Sequence, residues 1–143
     1  MGNVIKINDG LKTYDIVNQD DKLLGSFSFN PSDTNIIHRH AEVVEALEKL
    51  ELNISAKAET DGIAEAFKEV EAVIYEKINY LLDANVADTF FSIMGPFSPL
   101  ANGQFFIETV LDAIGQAINA ETGARVKKIN SKIQKHTSHT NYL

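Results

Sequence analysis

The chain has no cysteine among its 143 residues. Disulfides, thiolate metal centres and cysteine nucleophiles are therefore excluded, and a reducing compartment is the natural setting. No run approaches the eighteen or so consecutive apolar residues of a membrane-spanning helix. The opening Met1-Gly-Asn-Val-Ile-Lys-Ile-Asn-Asp lacks the charged start and apolar stretch of a secretory signal. These absences lead to an expectation of a cytoplasmic protein. The sequence contains no Gly-rich phosphate loop, no Gly-x-Ser-x-Gly elbow and no His-Glu-x-x-His helix motif.

Charge is present but unevenly placed. Residues 1–122 carry 8 Lys/Arg and 20 Asp/Glu, a net of −12. Residues 123–143 carry Arg125, Lys127, Lys128, Lys132 and Lys135 with no acid, a net of +5. An acidic body with a short basic end lacks the broad basic field that nucleic acid requires. The length fits one domain, which we place at residues 1–135: a β-hairpin region over 1–29, a helical region over 30–135, then a flexible polar tail over 136–143. A compact fold of this size buries roughly two thirds of its unfolded surface, enough for a full core.

The apolar pattern begins with period two. Val4–Ile7, Lys12–Val17 and Lys22–Phe29 read as strands of a small antiparallel hairpin or three-stranded unit, with Asn18–Asp21 as the turn. Tyr14 and Ile16 share one face, as do Leu23, Gly25, Phe27 and Phe29. Asn30 then suits a helix N-cap and Pro31 the first helical position, with Asp33 favouring the helix dipole. A helix is expected from Pro31 to Leu52, striped by Ile36, His40, Val43, Leu47 and Leu50, with Ile54 continuing the spacing. Asn53–Asp61 reads as a polar boundary. A second helix is expected over Asp61–Leu82, striped by Ile63, Phe67, Val70, Ile74, Ile78 and Leu81, and pairing with the first. Val86–Met94 reads as a short helix. Asn102 is a candidate cap for a helix starting near Gln104, and Gly123 a candidate stop or kink. The fold class is α+β and mainly helical: a small N-terminal antiparallel hairpin packed on about four helices.

The side chains that carry chemistry elsewhere do not converge here. His38 and His40 lie two apart on a helix and diverge, and a hydrogen-bonded, partly buried His40 is the simpler reading. His136 and His139 lack the further ligands zinc needs. Asp61, Glu65 and Glu69 form a solvated row. No catalytic, metal-binding or cofactor-binding residue is assigned, and the chain is not expected to be an enzyme. The aromatic-rich Thr89–Leu100 segment, with two prolines, reads either as a buried corner closing the core or as an adaptable apolar patch for a partner.

Two stretches carry a resemblance. Ser26-Phe-Ser-Phe-Asn-Pro-Ser-Asp33, leading from a hairpin into an acidic helix, resembles the start of tail assembly chaperones from long-tailed phages and prophages of Gram-positive bacteria. Asp83–Ile114 (DANVADTFFSIMGPFSPLANGQFFIETVLDAI) resembles a second block of that family, in which an Asp-x-Phe-Phe segment, a Phe-Ser-Pro loop, an Asn-Gly turn and a Phe-rich helix follow in order. The resemblance implies non-catalytic work in the host cytoplasm. The partners would be the tape measure protein, kept soluble by the chaperone, and the tail tube protein. It also implies release by competition from tube subunits, and a site for a frameshifted fusion in the basic end after Gly123. The contact residues expected are Phe90, Phe91, Met94, Phe97 and Leu100, with Phe105 and Phe106 next. A structural tail or head–tail connector component, and a small adaptor or regulatory domain with a ligand pocket behind the hairpin, remain open, as does homo-oligomer formation.

Overall fold

The computed structural model describes the backbone of residues 2–140 and the side chains of residues 2–123. Its elements run β1 (Lys12–Val17), β2 (Leu23–Phe29), α1 (Thr34–Asp61), α2 (Ile63–Leu82), α3 (Ala87–Phe91) and α4 (Phe106–Thr140). The mainly helical α+β class expected from the sequence is what is found: among the described residues, a two-stranded antiparallel sheet and four helices. None of the helices, among the described residues, is long and apolar enough to cross a membrane.

The hairpin pairs Tyr14 with Phe27 and Asp15 with Ser26. Side chains alternate across a strand, so Tyr14, Ile16, Phe27 and Phe29 share the inner face. The outer face is polar. Thr13 and Ser28 share a hydrogen bond of 2.7 Å, and the Ser26 hydroxyl donates to Asp15 Oδ1 at 2.7 Å. Asn18 closes the turn by accepting from the Asp20 and Lys22 amides at 2.9 and 3.0 Å.

Val4–Ile7 is not a strand. A strand needs a ladder partner, and the chain directs this segment elsewhere. The Asn30 amide donates to the Asp9 carbonyl, and Gly10 at φ 80° lies against Asn30, where a Cβ would come within 2.8 Å of its Oδ1. Asn30 does not cap α1, because the helix starts only at Thr34. Its Oδ1 accepts from the Ser32 amide at 3.0 Å, and Asp33 takes the N-cap role, accepting from Asn35 N at 2.9 Å. Pro31 lies in the turn before the helix, buried.

Helix α1 runs on through Asn53–Asp61 instead of breaking there. Ile54 is buried and Ala58 packs on the core, and no helix breaker intervenes before Gly62, whose φ of 90° separates α1 from α2. Val43, Leu47 and Ile54 of α1 and Ala66, Val70, Ile74, Ile78 and Leu81 of α2 are buried in one core, as expected for an antiparallel helix pair. At the far end of that pair Lys57 and Glu69 form an ion pair.

Asn79 joins α2 to α3, its Oδ1 accepting from the Val86 and Ala87 amides, each at 2.8 Å. Helix α3 stops at Phe91, short of the expected Met94. Helix α4 begins at Phe106 rather than Gln104. The preceding loop folds back so that the Ser98 and Pro96 carbonyls accept from the Phe106 and Ile107 amides at 2.9 and 2.8 Å. Loop carbonyls thus satisfy donors a helix start leaves free. Asn102 accepts from Gln104 N at 3.0 Å within the turn and is not the cap. The backbone of α4 continues past Gly123 to Thr140, so residues 136–140 lie in the helix rather than in a separate tail. Residues 141–143 of the expected tail lie outside the described residues.

Candidate functional groove

The hairpin reaches the helical body through aromatic rings. Phe27 meets Phe90 at 4.8 Å and 56°, Phe90 meets Phe91 at 6.5 Å, and Phe91 meets Tyr75 of α2 at 5.0 Å and Phe106 of α4 at 6.3 Å. Beside this chain Gly25 sits close to α3: a Cβ there would be 3.1 Å from Thr89 Cγ2. An ion pair between Lys12 and Glu121 ties β1 to α4, and that hydrogen bond raises the Lys12 pKa.

Between these attachments the inner face of the hairpin is not filled. A groove of about 610 Å³ lies between the hairpin, α3 and α4. Tyr14, Ile16, Phe27 and Phe29 form the sheet side. Phe90, Ile93 and Met94 come from α3 and the turn after it. Leu100 and then Phe106, Val110, Ala113, Ile114 and Ala117 of α4 complete it. Ala113 and Ala117, one helical turn apart, leave the space open because their side chains are small. Among the described lining residues, Tyr14 and Asp15 are the titratable groups. Such a surface recognises by shape and by removing apolar area from water.

The seven residues expected to touch a partner divide. Phe90, Met94, Leu100 and Phe106 line the groove. Phe91 and Phe97 do not, and are buried. Phe97 stacks on Phe67 at 5.4 Å and meets the edge of Phe105 at 5.5 Å, so Phe97 and Phe105 hold the Pro-flanked loop on α2. Phe90 is itself 5% exposed and forms the floor, while Met94 at 37% stands at the rim. The phenylalanines of the Thr89–Leu100 segment, with Pro96, are therefore the buried corner, while Phe90, Ile93, Met94 and Leu100 face the groove. The sequence reading named Phe106 of α4 as a contact and, in the adaptor alternative, a pocket behind the hairpin, but it did not assign Tyr14, Ile16, Phe27, Val110, Ala113 or Ala117 to a site. Their signals were Tyr14 and Ile16 alternating in β1, and the Ala113/Ala117 spacing in α4.

His38 and His40 do not line this groove. His40 is half-buried, and its Nε2 donates to the Leu111 carbonyl at 2.9 Å. Gly115 allows this joint, since a Cβ there would lie 3.1 Å from Nε2. A second, smaller cavity of about 240 Å³ between α1 and α4 is lined by Val44, Leu47, Glu48, Glu51, Gln104, Glu108, Leu111 and Asp112. Burial, then the facing Glu108 carboxylate and Glu48, push Glu51 up to about 7. Its Oε1 has no hydrogen-bond partner among the described residues. No family profile, curated protein or solved structure matches the chain.

Proposed function

We propose that the chain is a non-catalytic assembly chaperone whose groove holds an apolar segment of a client protein. The observation that supports this reading is the groove itself: an open, almost wholly apolar surface on a body carrying a net charge of −12 over residues 1–122. An aggregation-prone client needs apolar cover, and the covered complex needs net charge to stay dissolved. The resemblance of Ser26–Asp33 and Asp83–Ile114 to phage tail assembly chaperones supplies the client: the long, helical tape measure protein, with tail tube subunits displacing the chaperone afterwards in the host cytoplasm.

Co-expression with the tape measure protein of the same genome tests the reading, with a tag on this chain. The client is expected to become soluble and to co-purify. A client that stays insoluble, beside a chaperone that is itself folded and soluble, would overturn it.

A further inference from the structure

The segment before β1 presents apolar side chains that its own chain does not cover. Val4, Ile5 and Ile7 are 80%, 85% and 81% exposed, in a β-branched run suited to a strand. Its base is held by Asn30, the residue that follows β2, through the Asp9 carbonyl and the close approach of Gly10. Lys12 and Phe29 are ladder partners, so this anchor sits on the β2 side of β1.

Strand β1 has a second edge. Among the described residues β2 is its one ladder partner, so its other row of backbone donors and acceptors is unpaired, a template for another strand. The groove opens along that edge. Consecutive residues Tyr14 to Gln19 line it, including Asp15 and Val17 of the outer face, whereas β2 contributes Leu24, Phe27 and Phe29. An extended segment laid on the edge would add main-chain hydrogen bonds and drop alternate side chains into the groove.

We infer that Val4–Ile7 of a second copy adds to the free edge of β1 as a third strand, seating Ile5 and Ile7 in the groove. Ile5 and Ile7 lie two apart and share a face, which places Lys6 on the other, polar face. Asp15 stands on that face of β1. Residues 2–8 contain Lys6 and no acid, and Asp15 is the charged residue on the outer face of β1, so Lys6 and Asp15 are complementary there. The same segment of its own chain is anchored on the opposite side of β1, which favours exchange between copies. Because the groove is shared, a second copy and a client compete for it. The exchange itself does not depend on what the client is.

Sedimentation of the full chain over a concentration series, against the double variant Ile5→Asp/Ile7→Asp, tests this. Both side chains are exposed, so circular dichroism should show the same fold in each. The unmodified chain is expected to gain mass with concentration and the variant to stay monomeric. A chain carrying Lys6→Cys mixed with one carrying Asp15→Cys should form a mixed disulfide faster than with a Glu59→Cys control. A monomeric unmodified chain, equal self-association in the variant, or a mixed disulfide no faster than the control would overturn the inference. Backbone protection of residues 4–7 in a monomer would also overturn it, by showing that the segment folds on its own chain. Client capture is a separate readout, so failure here leaves the chaperone reading standing.

Discussion

The Phe27 ring of the hairpin lies 4.8 Å from the Phe90 ring of α3, tilted at 56°. This pair holds a two-stranded sheet that would be marginal by itself against a helical body, and it also forms the floor of the groove. Fold and site thus meet in two residues. Phe90→Ala is expected to cost about 3 to 5 kcal/mol, as truncation of a buried Phe does, and to loosen the hairpin first. Urea unfolding measures the loss. Hydrogen exchange should show β1 and β2 losing protection before α1 and α2. Uniform loss across the chain would contradict this role for the pair.

Gly25 marks how closely the hairpin approaches α3. Gly25→Ala brings a methyl to 3.1 Å from Thr89 Cγ2 and is expected to destabilise by about 1 kcal/mol through overpacking. Thr89→Ser removes that methyl and should recover most of the loss in the double variant. A double-mutant cycle with no coupling would show that the two residues do not meet as described.

The buried half of the aromatic segment should behave as core. Phe97→Ser leaves an unfilled site between Phe67 and Phe105 and is expected to lower stability by about 3 to 5 kcal/mol. It would weaken client capture only through that loss. Ala113→Phe makes the opposite change. Ala113 is exposed in the groove wall, so the added ring should fill the groove at little cost to the melting temperature while abolishing client capture. Thermal unfolding and co-purification of both variants separate the two effects.

Glu51 gives the fold a pH dependence of known sign. Its folded pKa is raised from 4.5 to about 7 by burial, then by Glu108 and Glu48, so the protonated form is favoured in the native state. The associated stability is fully present below the unfolded pKa and is lost as pH rises through the folded one. Glu48, Glu108 and Asp112 all face this cavity, and solvent screens part of the effect. Glu51→Gln is therefore expected to stabilise the chain by about 1 kcal/mol near pH 8 and to change little near pH 5. Equal effects at both would contradict the assignment.

Patterns that depend on local periodicity were legible in the sequence. Most of the α1 and α2 stripes, the Tyr14/Ile16 and Phe27/Phe29 faces and the turn at Asn18 stand where the spacing puts them. But Ile63 at the start of α2 is 64% exposed, and a register shift after Ile16 leaves Leu23 off the inner face and 58% exposed. Features set by distant partners were not. Asn30 has the chemistry of an N-cap, but its Oδ1 closes a turn on the Ser32 amide and the helix starts later, with Asp33 as its cap. Val4–Ile7 has the composition of a strand, yet pairing depends on where its neighbour goes. The groove was half legible. Phe90, Met94, Leu100 and Phe106 stand out by type; Ala113 and Ala117 show the helical spacing of a face, but spacing alone does not tell that their small side chains leave that face open.

Hydrogen exchange on the chain alone and in complex with the tape measure protein tests the central claim most directly. The account expects new protection at residues 14–19 of the hairpin and 106–117 of α4, the two walls of the groove. Protection confined to the exposed faces of α1 and α2, with the groove walls unchanged, would contradict it.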